Sequence, residues 1–356
     1  MAIISFGEIN KNILYPIIGG LSKLVAEFIL YVKEPYFNDH PFILGTLTGF
    51  GMFLSKIPFI ILKINLRRIN NNKKQKKGYN NFIYYNLNEA LRDKIFCQKY
   101  LLILCASLFD FIQKTMSFAF LDDIINNVWI FDILFLVVFS RIILKTKLYS
   151  YQIFSLGIII LLGIIMNIIN LINLEKISFI SFILAFSIEI IYCLEIVLAK
   201  YIMDYKYCSP YEISIFEGIF EIFANIILLI ISTNYWKEKD DFFKYIDDFN
   251  KSPSSEIILM VISMLSRLFF KLFSLITIKI YTSFHIVILL IIGELMFFFD
   301  IFEKEQSKSE NNDEIPYIKI VLNIILIFLI FFIFLVFTEF IELNFWGLQK
   351  YTKKNI

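Results

Sequence analysis

KYLLILCASLFDFIQKTMSFAF, Lys99–Phe120, and IILMVISMLSRLFFKLFSLITIKI, Ile257–Ile280, are the two stretches that decide the fold. Each is apolar over about the thickness of a bilayer, and each carries a lysine in its interior, Lys114 and Lys271. Three residues after each lysine comes a serine, Ser117 and Ser274. Both pairs are 157 residues apart (271 − 114 and 274 − 117), and the apolar run after each lines up at that offset. A lysine inside a membrane span costs several kcal/mol unless it is paired or hydrated, so it marks a functional cavity. Two at corresponding places point to a transporter built from an internal repeat.

The rest of the chain has the same character. It is 58% hydrophobic and 19% charged over 356 residues, with a mean hydropathy of +0.71, where a soluble domain is about a quarter charged. Phe, Tyr, Ile, Asn and Lys all have A/T-rich codons, so the distribution of apolar residues carries more weight than their number. Blocks of about 20 apolar residues fall at 12–32, 41–63, 99–120, 125–144, 149–172, 177–200, 211–233, 256–279, 283–302 and 317–338. Between them, 64–98 is an Asn/Lys-rich linker expected to be disordered. The loops at 234–255 and 303–316 are rich in Asp and Glu.

With ten spans and a cytosolic N-terminus, the cytosolic joints receive Arg67, Arg68, Lys73, Lys74, Lys76, Lys77, Arg141, Lys145, Lys147, Lys200, Lys206 and Lys279, and the tail adds Lys350, Lys353 and Lys354. The opposite side receives Asp122, Asp123 and both acidic loops, together with Lys237, Lys239, Lys244 and Lys251. Most joints obey the positive-inside rule, which a nine-span count would violate beyond the lost span. Five spans per half is an odd number, so equivalent helices cross in opposite senses. The expected architecture is therefore an all-α membrane protein of about ten helices, in two inverted five-helix repeats. The repeats are 1–172, which includes the loop 64–98, and 173–356.

The stretch 99–172, from KYLLILCASLFDFIQK through INNVWIFDILFLVVFSRIILKTKLYSYQIFSLGIIILLGII, resembles the drug/metabolite transporter superfamily, which includes EamA-type and nucleotide-sugar carriers. There Asp110 sits in the third span, Arg141 and Lys145 form a basic turn after the fourth, and Gln152 opens a fifth that contains Gly157 and Gly163. The second half matches in layout and lacks a GALNK-type motif. The resemblance implies ten helices around a central cavity and leaves the substrate open.

Asp110 and Lys114 are spaced i,i+4 and can neutralise each other on one helix face, whereas the equivalent places in the second half hold two cations, Arg267 and Lys271. Arginine forks and lysine point charges hold phosphate, so an anionic metabolite such as an organic phosphate or nucleotide sugar is the expected substrate. Its contacts would be Lys114, Arg267, Lys271, Ser117, Ser274 and Lys56, the last close to Pro58. Glu217 and Glu221 are also i,i+4, and Glu221 and Lys271 lie roughly 15 and 13 Å from the cytosolic ends of their helices. Structural or gating ion pairs are therefore the competing reading. Asp110, Glu217, Glu221 and Glu294 are the gating or coupling candidates, Glu294 because a lone carboxyl in apolar surroundings suits proton coupling. Glu189, Glu195 and Asp132 are secondary. Gly45, Gly49 and Gly51 allow close helix approach.

No catalytic group, cofactor or metal site is expected. Cys97, Cys105, Cys193 and Cys208 form no CxxC or Cys/His cluster. His40 and His285 fall at span ends, and a polytopic transferase or a channel lacks its signature residues. A proton-coupled exporter of cationic or neutral solutes, bound by Glu217, Glu221 and Glu294, is the main rival. The expected partners are a small-molecule substrate and the lipid bilayer, with a homodimer allowed and no nucleic acid. Lys353-Lys354-Asn355-Ile356 has the layout of a dilysine retrieval signal, which points to the endoplasmic reticulum or Golgi. Asn250-Lys251-Ser252 is a glycosylation sequon.

Overall fold

The structure is a computed structural model that describes residues 4–6, 14–32, 40–64, 89–120, 131–171, 179–235, 242–251, 254–289, 291–292, 315–337 and 341–343. Helices dominate: α1 (Leu14–Val32), α2 (Pro41–Phe53), α3 (Glu89–Phe120), α4 (Phe131–Ile143), α5 (Ser150–Leu171), α6 (Phe179–Tyr205), α7 (Pro210–Tyr235), α8 (Phe242–Lys251), α9 (Ser254–Ile280) and α10 (Ile315–Phe337). A short antiparallel ladder pairs Ile4–Phe6 with Ile341–Leu343. By length and composition, Pro41–Ile64, Pro210–Asn234 and Ile257–Ile280 can each cross a membrane. At about 1.5 Å per residue, a 24-residue helix outspans a hydrocarbon core of about 30 Å. The chain is thus a helical protein compatible with a bilayer.

Two stretches depart from the expected boundaries. Helix α3 begins at Glu89, ten residues inside the presumed linker 64–98. The acidic loop 234–255 contains α8, FFKYIDDFNK, whose Phe242, Phe243 and Ile246 are exposed. Their spacing gives one turn-and-a-half of apolar face, and Tyr245 meets His40 edge-on at 5.3 Å. The segment expected as the ninth span opens with a 3-10 turn, Ser283–His285, held by a capping box between Thr282 and His285. It continues as helix at 286–289 and 291–292, and the rest of 283–302, with Glu294, lies outside the described residues.

Helix α2 packs on α7, α5 on α10, α1 on α9, and α3 on α6 and α7, while α2 also meets α9 and α4 meets α6. Small residues make the closest crossings. A Cβ on Gly49 would sit 2.9 Å from Gly218 O, and one on Gly51 would sit 2.7 Å from Met264 O. Gly19 and Gly20 lie against Leu289 and Ile292. Ile103, Leu136, Ile159, Ile196, Leu275 and Phe334 belong to one continuous buried core. Rows such as Leu101–Leu104–Leu108 and Phe223–Ile227–Ile230 face outward, where water would be a poor solvent for them and lipid a good one.

Candidate functional site

Where α3, α6, α7 and α9 meet, six ionisable side chains converge. Lys271 Nζ on α9 lies 3.0 Å from Asp110 Oδ1 on α3, 3.1 Å from Glu195 Oε1 on α6 and 3.2 Å from Glu217 Oε2 on α7. Lys114 Nζ lies 2.8 Å from Asp110 Oδ2 and is also bonded to Glu221 Oε1, with Met52 Sδ at 3.8 Å. Asp110 therefore uses one oxygen on each lysine. All four carboxylates are at most 4% exposed.

Local sequence makes this convergence possible. The i,i+4 spacings of Asp110–Lys114 and Glu217–Glu221 put each pair on one helix face. Helix α6 ends at a left-handed Tyr207 (φ 53°), with Cys208 N–H donating to Ile202 O at 3.4 Å. After that tight reversal, α7 brings Glu217 to the same Lys271 that Glu195 of α6 meets. Ser209 and Glu212 then cap α7 reciprocally, Glu212 N to Ser209 Oγ at 3.1 Å and Ser209 N to Glu212 Oε2 at 3.0 Å.

Lys271 is therefore not half of an unmatched cationic pair, as the spacing with Arg267 implies. Three carboxylates from three other helices surround it, which a comparison of the two lysine segments alone does not reveal. Arg267 is half-buried one turn earlier on α9. The Ser274 hydroxyl donates back to Phe270 O at 2.7 Å and serves its own helix. Lys56 is exposed, with Nζ 5.5 Å from the Phe53 ring centroid, so the structure does not bring it into the cluster. Pro58 removes one backbone donor, and the helix tightens into a turn at 54–55 just before it. That turn points Lys56 to the exterior. The side chain of Ser117 and all of Glu294 lie outside the described residues.

Two sets of residues have a larger place at the site than the sequence reading gives them. The first is Glu195, a secondary candidate there, which proves to be a direct partner of Lys271. The second is the wall of a narrow pocket beside Lys114 and Glu221, contributed by Gly45 and Thr48 on α2, Phe111 on α3 and Asn225 on α7. The pocket has room for about one water molecule. Asn225 stands one turn after Glu221 and donates to Glu221 O at 2.9 Å, and that i,i+4 relation was a visible signal. Gly45 leaves the space that the Asn225 amide fills.

At the far end of these helices a second network ties them together. Lys99 Nζ meets Glu212 Oε2 at 3.1 Å, and Lys279 Nζ donates to Cys208 O at 3.2 Å. Lys200 Nζ donates to Lys279 O and Tyr281 O at 3.2 and 3.1 Å. Burial, with Glu212 beside it, pushes the Cys208 thiol up to about 12. Among the described residues no group of three or more His, Cys, Asp and Glu is arranged to hold a metal ion. No protein-family profile matches the chain, and no curated protein matches it in sequence.

Proposed function

We propose that the chain is a multi-pass, alternating-access carrier of the drug/metabolite transporter type, moving small organic solutes of cationic or neutral character in exchange for protons. The observation that carries this reading is the charge count at the helix junction. Four buried carboxyl groups stand against two lysines, so two of the four have no ammonium of their own. Isolated charges do not persist in a low-dielectric interior, so they take up protons or cations. An anionic solute would add a third negative charge to a site already short of positive ones. The exporter reading is therefore favoured over the organic-phosphate reading.

The packing also supports two inverted repeats. Pairing the first span with the sixth, second with seventh, third with eighth (α9), fourth with ninth (283–302) and fifth with tenth (α10) exchanges α1–α9 with α6–α3. It likewise exchanges α3–α7 with α9–α2, and maps α2–α7 and α5–α10 onto themselves. A pseudo-two-fold axis in the membrane plane has this property. Both termini are then cytosolic. The amphipathic α8 falls on the non-cytosolic side. A homodimer remains compatible with this arrangement.

The experiment is proton flux in proteoliposomes with a trapped pH dye, read against protein-free vesicles. Amino acids and primary amines are expected to move protons, and Glu217→Gln to abolish the movement. Exchange of nucleotide sugars without any proton movement, unaffected by Glu217→Gln, would sink the proposal.

A further inference from the structure

The two lysines of the junction are placed differently. Lys271 is held by three carboxylates from three helices, and its side chain is 11% exposed. Lys114, 24% exposed, lines the pocket together with Glu221, which is 1% exposed, while its other partner Asp110, at 4%, is not part of the wall. Among the described residues no donor reaches Glu221 Oε2, although that atom is fully buried. The Asn225 amide nitrogen is spent on Glu221 O, so its oxygen remains an acceptor, and the Thr48 hydroxyl donates to Leu44 O at 2.9 Å and keeps its lone pairs. The pocket wall thus offers acceptors and one cation, and that cation sits on a flexible four-carbon stem.

We propose that Lys114 is a tethered stand-in for the primary ammonium group of a water-soluble amine, which displaces it and binds between Asp110, Glu221 and Asn225. This rests on the cation-exporter reading above and names its substrate class. A primary ammonium has three N–H donors, and the site has carboxylate oxygens of Asp110 and Glu221 with an amide oxygen beside them, which matches donor for acceptor. A quaternary ammonium has no donor, so it fits this subsite poorly. The present pocket holds about one water, so the amine enters as Lys114 swings out and vacates its own volume. Lys271 stays in place because carboxylates from three helices hold it at 3.0–3.2 Å.

The test is thermal unfolding of the full-length protein in detergent, titrated with n-propylammonium chloride. Propylammonium supplies the atoms that Lys114→Ala removes. Propylammonium is expected to raise the melting temperature of Lys114→Ala saturably, with an affinity about tenfold to a hundredfold above wild type, where Lys114 competes. Tetramethylammonium chloride and potassium chloride at the same ionic strength are expected to do neither. In case Lys114→Ala does not fold, the wild-type response is compared with Glu221→Gln, which is expected to weaken it about tenfold or more. Equal responses to propylammonium and potassium overturn the proposal, as do equal responses of wild type and Glu221→Gln. Stabilisation by phosphatidylethanolamine but not by propylammonium overturns it too, because the ammonium recognised would then be a lipid headgroup. Solute-driven proton flux without propylammonium binding removes this site and leaves the carrier reading standing. Binding without flux does the reverse.

Discussion

Replacing Lys271 by glutamine tests whether the junction behaves as one electrostatic unit. In the wild type four carboxylates face two lysines. Lys271→Gln leaves four against one and strips Asp110, Glu195 and Glu217 of the cation that lies within 3.0–3.2 Å of each. Removing one partner from a buried, hydrogen-bonded charge group costs about 3–5 kcal/mol. Glu217→Gln works in the other direction. Glu217 is fully buried and has Lys271 as its ion-pair partner, while no hydrogen bond reaches its Oε1. The amide keeps the shape and takes away one of the two excess charges, so the expected change is within about 1 kcal/mol of zero. The double variant restores the wild-type excess of two negative charges, and it is expected to recover about 1–3 kcal/mol of the loss caused by Lys271→Gln. The assay is equilibrium unfolding in mixed micelles on wild type, both single variants and the double variant. Additivity within about 0.5 kcal/mol would refute the reasoning, since it would mean that the six charges do not sense one another.

Two further outcomes are expected. Gly49→Ala forces a Cβ to 2.9 Å from Gly218 O and 3.0 Å from Glu221 Cβ, so it is expected to destabilise by about 1–3 kcal/mol; Gly157→Ala, with nothing within 4 Å, is expected to be neutral or stabilising by up to about 1 kcal/mol, both read by the same unfolding assay. The thiolate is the form that reacts with maleimide, so Cys208, protonated until pH approaches about 12 and buried, is expected to label slowly up to pH 9, whereas exposed Cys97 labels readily, as peptide mass spectrometry would show.

Much of this was legible before any coordinates. The apolar blocks predict helices at α1, α5, α7, α9 and α10 to within a few residues, because burial in lipid or core demands long uninterrupted runs, whereas the block 41–63 is broken by a turn at 54–55 into α2 and a second helical stretch. The glycines of α2 declare a close helix crossing, though not that Gly218 is the other side of it. Helix spacing alone placed Asp110 with Lys114 and Glu217 with Glu221. What spacing cannot convey is which helix faces which. Lys271 looked like half of a cationic pair because Arg267 is its neighbour in sequence, while Asp110, Glu195 and Glu217 are its neighbours in space. Spacing likewise does not convey that Lys56, just past the turn at 54–55, is exposed and apart from the cluster.

The proposed division of the chain into halves, 1–172 and 173–356, would give the ion pairs a further meaning. Lys114–Asp110 lies within the first half, and Lys271–Glu195 and Lys271–Glu217 lie within the second. Two pairs cross between halves, Lys114–Glu221 and Lys271–Asp110. Suppose the halves rock apart, as alternating access requires. Asp110 keeps Lys114, and Lys271 keeps Glu195 and Glu217, so three of the carboxylates and both lysines retain a partner. Glu221 loses the one ammonium bonded to it. A carboxylate that is 1% exposed cannot stay charged and unpaired in the interior at a tolerable cost, so the motion requires that a proton or a cation reach Glu221. Uptake at Glu221 and separation of the halves are then a single event, and by linkage each favours the other by the same free energy. Under the proposed carrier reading, Glu221 is accordingly the residue at which binding becomes movement, and Glu217 the neighbouring negative charge that favours cations.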